Sequence, residues 1–406
     1  MRSTGGNNAD GAHGRRRSVE DPRPRLLKLD REALTRIGLV GLAWFLILGG
    51  AFTAWYVIEV PLSRDILDND LTLVYIGARI GIEQGWSHIY SLVLQHQMFT
   101  QLRPGAGFNN GERFVSPPPS AWVLVPLTVF GAAGVVYVWL AASLAALIAA
   151  WWIAAPGSGQ KRIVWLMALL AWYPVQYSLS LAQPDAIVLL AAVACWKLAD
   201  RGRPYLAGVV LGVSVLKPQL TLAVPLVLLA AGRWRIAAAW AVTVGVLAAV
   251  SLLVIGPQGL SDYRALLNEA QHVVNNRYFT PAYVFGPGPL TSIVQAIFVG
   301  VGLAGAYLNR RGSLASLFAI GLLCSALGAT YWHLQDYTIV AGAAWFFWHD
   351  PARAWQRWWL LVVAIGGELA WPLTPLPILV GLAVWLVFLA LPPRTATRPA
   401  TSVGSP

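Results

Sequence analysis

The hydrophobic pattern of this chain is dominated by long unbroken apolar runs, where a soluble fold would alternate apolar and polar positions at helix or strand period. Several runs reach the ~20 residues that a helix rising about 1.5 Å per residue needs to cross hydrocarbon. The first extends from about Leu39 to Val60. It is too long for the apolar region of an export signal, and the triplet Arg15, Arg16, Arg17 lies too far upstream of it, so a retained first membrane helix is predicted. Later runs continue to about Ala390 and give about twelve crossings in all. Two features leave the partition open. The run Pro119–Phe130 is short, and is either re-entrant or a full crossing; the pieces on either side of Lys217-Pro218 are either separate or one kinked helix.

Two polar stretches interrupt the pattern, Pro61–Ser116 and about Gly256 to Pro287. The first is amphipathic. In Leu71–Gly85 apolar residues recur at Leu73, Ile76, Ile80 and Ile82 among polar ones; in Ser87–Leu102 they recur at Ile89, Leu92, Phe99 and Leu102, set against His88, Gln95 and Gln97. That spacing predicts helices lying in the interface plane beside a membrane-embedded cavity, with a soluble cap over the bundle as the alternative.

Composition agrees with the pattern. Of 406 residues 57% are hydrophobic and 12% charged, about half the charge of an average soluble domain. Trp55, Trp86, Trp172, Trp234, Trp355, Trp358, Trp359 and Trp371 stand near the ends of runs, where an amphipathic ring suits the headgroup layer, whereas Trp139 and Trp240 read as packing residues. Cys195 and Cys324 fall inside apolar runs and read as small core residues.

The net charge of +11 invites a nucleic-acid partner, and the placement of the charges argues against one. Basic residues collect before the first run, from Arg15 to Arg36, and then in short clusters: Lys161 with Arg162, Lys197 with Arg201 and Arg203, Arg233 with Arg235, Arg310 with Arg311, Arg353 with Arg357, Arg394 with Arg398. This is the positive-inside pattern. It predicts a multi-pass plasma-membrane protein with both termini cytoplasmic and both polar stretches outside. The expected organisation is a basic disordered tail over residues 1–36, a membrane domain over 37–392 and a second disordered tail over 393–406.

Ionisable groups are costly in such a chain, so their placement is informative. Asp65, Asp68 and Asp70 follow the first helix; Gln183 and Asp185 lie in the turn Leu181-Ala-Gln-Pro-Asp185; Lys217 precedes Pro218; His333, Gln335 and Asp336 lie in Tyr331-Trp-His-Leu-Gln-Asp-Tyr337. All are expected at the outer face. A transfer reaction needs a base for the acceptor hydroxyl and a cation for the leaving group. Asp70 is the candidate base, and it would also serve as N-cap of the segment it opens. Lys217 or His333 would pair with a phosphate, while Gln183, Asp185, Asp336 and Arg79 are further substrate-binding candidates. Asp68-Asn-Asp70 has the spacing of some metal-dependent transferases, but with two carboxylates and little else no metal and no other cofactor is expected.

At these residues the chain resembles glycosyltransferase family 87, the bacterial polyprenyl-phosphate-mannose-dependent mannosyltransferases and their relatives. Asp70-Leu-Thr-Leu-Val-Tyr75 with Ala78 resembles the opening Asp-Phe-x-x-Tyr-Tyr-x-Ala of that family, and Gly85 with Ile89-Tyr90 its Gly-x-x-x-Tyr continuation. Phe114-Val-Ser-Pro-Pro-Pro119 followed by Val125-Pro126-Leu127 is similar to its Phe-x-Tyr-Pro-Pro…Pro-Leu segment. Ala182-Gln183-Pro-Asp185 corresponds to Gly-Gln-x-Asn, and Leu206-Ala-Gly208 with Leu211-Gly212 and Leu216-Lys217-Pro218 to Ala-Gly-x-x-x-Gly…Lys-Pro. His333-Leu-Gln-Asp-Tyr337 resembles a late motif with an aromatic and an Asp. The departures are Ser116 for Tyr, Ala182 for Gly and Asp185 for Asn. The resemblance spans roughly residues 38 to 390 and implies an all-α GT-C bundle with interfacial helices in the first outer loop. It also implies an inverting, metal-independent transfer with Asp70 as general base. The implied donor is a polyprenyl-phosphate sugar, mannose preferred over arabinose, and the acceptor a glycolipid or lipid-linked glycan. A transporter or lipid flippase is the rival reading, and a non-catalytic scaffold the third. The chain shows no internal repeat of the transporter kind, and its ionisable groups gather at one face.

Overall fold

A computed structural model describes residues 31–109, 112–270, 273–350 and 354–391 of the chain. Among them the regular structure is entirely helical, with no strand. Residues 1–30, Arg353, Arg394 and Arg398, and with them most of both expected tails, lie outside the described residues. The first helix, Arg31–Ala54, begins within the segment read as N-terminal tail.

Four helical stretches are long and apolar enough to cross a bilayer: Ala33–Arg64, Pro118–Ala154, Trp234–Ala270 and Pro289–Leu308. The bent pair Gln160–Ala171 and Tyr173–Ser180, at 55° to each other, would make five. The about twelve crossings expected from the sequence are therefore met in part. Prolines and tight breaks cut several runs into helices below the ~20 residues that span hydrocarbon, among them Pro204–Leu216, Pro218–Ala230, Leu314–Gly328 and Leu376–Ala390. The short run at Pro119 continues through a 3₁₀ segment, Val125–Phe130, into the helix Gly131–Ala154, so all of it belongs to one 37-residue stretch. The long helices leave bulky apolar side chains uncovered, such as Phe45 and Phe52 on the first and Leu253 on Trp234–Ala270. Water would not tolerate so continuous an apolar exterior, and lipid accepts it at no cost.

Close packing of the bundle depends on small residues. Gly208 and Gly212 lie one turn apart and face the helix Trp234–Ala270. A Cβ on Gly208 would collide with the Ile236 carbonyl oxygen and lie 2.6 Å from the Ala239 Cβ, and one on Gly212 would lie 2.5 Å from the Thr243 methyl. This is the small-xxx-small device by which helices in lipid bring backbones together. It fixes the stretch that leads directly into Lys217. Cys195 and Cys324 are buried and unpaired within the described residues, and Trp139 is buried, whereas Trp55, Trp234, Trp358 and Trp371 are exposed.

The 61–116 stretch forms the helices Asp70–Glu83 and Leu92–Leu102. Leu73, Ile76, Ile80, Ile89 and Phe99 are buried, in a second hydrophobic cluster separate from that of the main bundle. Protein covers these faces: Ile255, just before the other polar stretch, and Tyr263 and Leu266 within it pack on them, and Tyr90 stacks on Tyr263 at 4.4 Å. These faces are thus covered in large part by protein; an apolar stripe records only that something apolar must cover it. Arg103 ties the stretch down, its guanidinium 2.8 Å from Asp65 and 2.9 Å from Asp68. The second polar stretch opens on a helix. Gly256, at φ 64°, turns the chain, and Pro257 starts a new helical segment that runs to Ala270.

Gly208→Leu is expected to lower the stability of the detergent-solubilised protein by about 1–3 kcal/mol, the usual cost of overpacking. Thermal unfolding read against wild type checks this, and an unchanged melting temperature would mean the two helices are not held by that contact.

Candidate active site

The site begins with a cap. Asn69 is extended, and its side-chain oxygen accepts from the Thr72 amide at 3.2 Å, so Asn69 is the N-cap of Asp70–Glu83. The sequence reading gave that role to Asp70. With the cap supplied by its neighbour, the Asp70 carboxylate is available for other contacts. The Asp70 amide donates to the Leu181 carbonyl at 3.2 Å, which fixes the start of this helix to the turn that carries Gln183.

That turn is held in an unusual shape. Ala182 has φ 50°, the one non-glycine residue with positive φ among those described, where left-handed backbone favours glycine. The Gly expected here by resemblance now has a physical reason. The turn projects the Gln183 amide toward Asp70, and Gln183 Nε2 donates to Asp70 Oδ2 in a short hydrogen bond. Pro184 then caps Asp185–Asp200, so that Asp185 opens a helix with its carboxylate fully buried.

Lys217 lies in an extended break, φ −154° and ψ 77°, between the 3₁₀ segments Gly212–Leu216 and Pro218–Leu220. Its ammonium is 2.8 Å from Asp185 Oδ1, 2.5 Å from Asp336 Oδ1 and 2.9 Å from Gln183 Oε1. An ammonium has three donors, and all are engaged. The remaining carboxylate oxygens are held too. Ser178 Oγ donates to Asp185 Oδ2 at 2.8 Å, and the His333 amide donates to Asp336 Oδ2 at 3.1 Å.

His333 Nε2 lies 3.0 Å from Asn276 Oδ1, and Gln335 Nε2 lies 3.4 Å from His333 Nδ1. Because an amide nitrogen donates and an amide oxygen accepts, this pattern fits the neutral imidazole with its proton on Nε2. Arg79 is not part of the assembly: it bonds to Glu83 on its own helix and to the Tyr75 hydroxyl at 3.1 Å. Asp68 is turned to Arg103, so the two carboxylates of the Asp68-Asn-Asp70 spacing are engaged in different contacts. Among the described residues no group of three or more His, Cys, Asp or Glu side chains is placed to hold a metal ion.

Asp70, Gln183, Lys217 and His333 line one cavity of about 1550 Å³, larger than the about 300–1,000 Å³ of most small-molecule sites. Its wall is polar around these residues and apolar along Leu222, Leu226, Leu267 and Val299. Asp185 and Asp336 lie behind that wall. Three lining features were not singled out in the sequence. Arg277 carries no ion pair or side-chain hydrogen bond among the described residues; Arg113 pairs with Glu269 from the other polar stretch; Tyr177 and Trp371 stack beside each other, 6.4 Å between ring centres. No local pattern marks the two arginines or Tyr177, and Trp371 reads from its position only as a ring at the end of an apolar run; the fold turns each to the cavity. Burial pushes the Asp70 carboxyl up to about 6, against the pull of the nearby Lys217 ammonium and the Gln183 hydrogen bond. Burial likewise lowers the His333 pKa, which keeps its ring neutral.

The site thus sets a raised carboxyl in the wall of a large cavity of mixed polar and apolar lining. Comparison with curated proteins and with solved structures returns no match. The family model of glycosyltransferase family 87 matches residues 114–366, more than half of the chain. The matched stretch contains Gln183, Asp185, Lys217, Arg277, His333 and Asp336 and begins after Asp70. By that match, the chain belongs to glycosyltransferase family 87.

Proposed function

We propose that this glycosyltransferase moves a sugar, mannose in preference to arabinose, from a polyprenyl-phosphate donor to a glycolipid or lipid-linked glycan. The observation that carries the reading is the Asp70 carboxylate, raised to about 6 and set in the wall of the cavity shared by polar and apolar surfaces. Asp70 takes the proton of the acceptor hydroxyl as that oxygen attacks the anomeric carbon from the face opposite the phosphate. The bond from the sugar to phosphate breaks, its electron pair leaves with polyprenyl phosphate, and configuration inverts. No metal or other cofactor enters this scheme. The apolar wall along Leu222, Leu226 and Val299 suits the polyprenyl chain.

The leaving phosphate needs a cation, and Lys217 has no donor left for it. Neutral His333 can at most donate a hydrogen bond. Arg277 is the cationic side chain on the cavity wall with no partner among the described residues, and its planar fork suits phosphate oxygens. The setting is a multi-pass plasma-membrane protein of about twelve crossings, the broken helices completing the spans, with cytoplasmic termini and the cavity open to the outside.

Asp70→Asn is expected to cut transfer of radiolabelled sugar from polyprenyl-phosphate mannose by about 10²–10⁴-fold with the melting temperature retained. Wild-type transfer by that variant would sink Asp70 as base. The catalytic form is the carboxylate, so the rate is expected to be flat above pH 6 or so and to fall about tenfold per unit below it. A pH–rate profile with its acid limb near pH 4 would contradict the raised value. Arg277→Gln is expected to raise the donor KM about tenfold. An unchanged donor KM would move the phosphate elsewhere.

A further inference from the structure

Lys217 with two buried carboxylates is an expensive structure to place beside a cavity, and the transfer scheme above leaves it without a task. An isolated structural ion pair would need one carboxylate. Here the ammonium has two, and its third proton goes to a neutral amide that in turn touches Asp70.

We propose that Lys217, Asp185 and Asp336 form a buried positioning device that acts on Asp70 through the Gln183 amide. This rests on the reading of Asp70 as the base. A glutamine amide can face its neighbours either way round, but an ammonium only donates, so the atom that meets Lys217 is the Gln183 oxygen. The NH₂ group then has to face the carboxylate, and it holds Asp70 Oδ2. The other carboxylate oxygen, Oδ1, has no hydrogen-bond partner among the described residues and is the one left to take the acceptor proton.

Each member of the device is itself constrained. Asp185 is held by Ser178 Oγ and Asp336 by the His333 amide, and the Asp70 amide is tied to the Leu181 carbonyl one residue before Ala182. The Lys217 ammonium therefore cannot swing, Gln183 cannot flip, and Asp70 keeps one orientation through the reaction. The device also sets charge. Lys217 and the Gln183 hydrogen bond favour the carboxylate of Asp70, while burial, Asp336 and Asp68 oppose it; Tyr177, Tyr331 and Glu112 are the other titratable groups that feel Asp70. Gln183 and Lys217 are thus positioning residues.

The test is steady-state transfer by membranes containing the full chain, from a radiolabelled polyprenyl-phosphate sugar, across pH 5 to 9. The variants are Gln183→Leu, Gln183→Glu and Asp70→Asn, each with its melting temperature recorded. For Gln183→Leu the expectation is a kcat about tenfold lower at neutral pH, a donor KM within about twofold of wild type, and an acid limb moved to higher pH, so that part of the loss returns in alkali. Gln183→Glu keeps a partner for Lys217 but gives Asp70 a like charge and no donor, so its acid limb moves in the same direction and further. A donor KM that rises while kcat and the acid limb stay put would overturn the proposal and make Gln183 a substrate contact. Wild-type kinetics in both Gln183 variants, with Asp70→Asn inactive, would overturn the device and leave the base in place. An active Asp70→Asn would overturn the base and the device together.

Discussion

The ion cluster at Lys217 is the interaction on which the rest of the structure depends. A lysine and two carboxylates with almost no access to solvent exist only if each completes the others, because an unpaired buried charge costs several kcal/mol. The three come from the break after Leu216, the start of Asp185–Asp200 and the short 3₁₀ turn Leu334–Tyr337. Bringing them within about hydrogen-bond reach fixes how three separate parts of the bundle meet. The attraction is not the main source of stability, since a well-packed apolar cluster would serve as well. What it supplies is a defined geometry at the wall of the cavity.

Local backbone devices make that meeting possible. Gly208 and Gly212 let one helix approach another closely enough to aim the chain at Lys217, and the left-handed Ala182 bends the turn that carries Gln183. Asn69 takes over the capping of the helix that Asp70 opens. Of these, Ala182 lines the cavity itself, while Gly208, Gly212 and Asn69 stand back from it. Each removes a degree of freedom from a polar residue of the cavity wall, and the resulting rigidity holds Asp70, Gln183 and Lys217 in place more tightly than a flexible loop could.

Charge is distributed with a direction. Asp70, Asp185 and Asp336 outnumber Lys217 at one part of the site, so an anion is not favoured there, while Arg277 and the Arg113–Glu269 pair stand elsewhere on the cavity wall. The cavity volume of about 1550 Å³ leaves room for both substrates, as a direct transfer requires.

Much of this was legible in the sequence, and for a clear reason. Apolar runs, amphipathic spacing and the scarcity of charge are local properties, so they gave membrane character, an all-helical chain and the helices of the first polar stretch. The cost of ionisable groups in such a chain singled out Asp70, Gln183, Asp185, Lys217, His333 and Asp336. The order of short motifs gave the family. What each of those groups binds was not legible. That Asn69 rather than Asp70 caps the helix, that Lys217 spends its protons on two carboxylates and an amide, and that Arg79 turns to Glu83 were decided by the fold. So were the cover over the amphipathic faces and the exposure of Arg277 to the cavity. Hydrogen bonds and ion pairs form between atoms a few ångströms apart; the partners of Lys217 are distant along the chain, and even for the local contacts of Asn69 and Arg79 the spacing leaves several partners open. Periodicity states what a position must be buried by or exposed to, while only the tertiary structure names the partner.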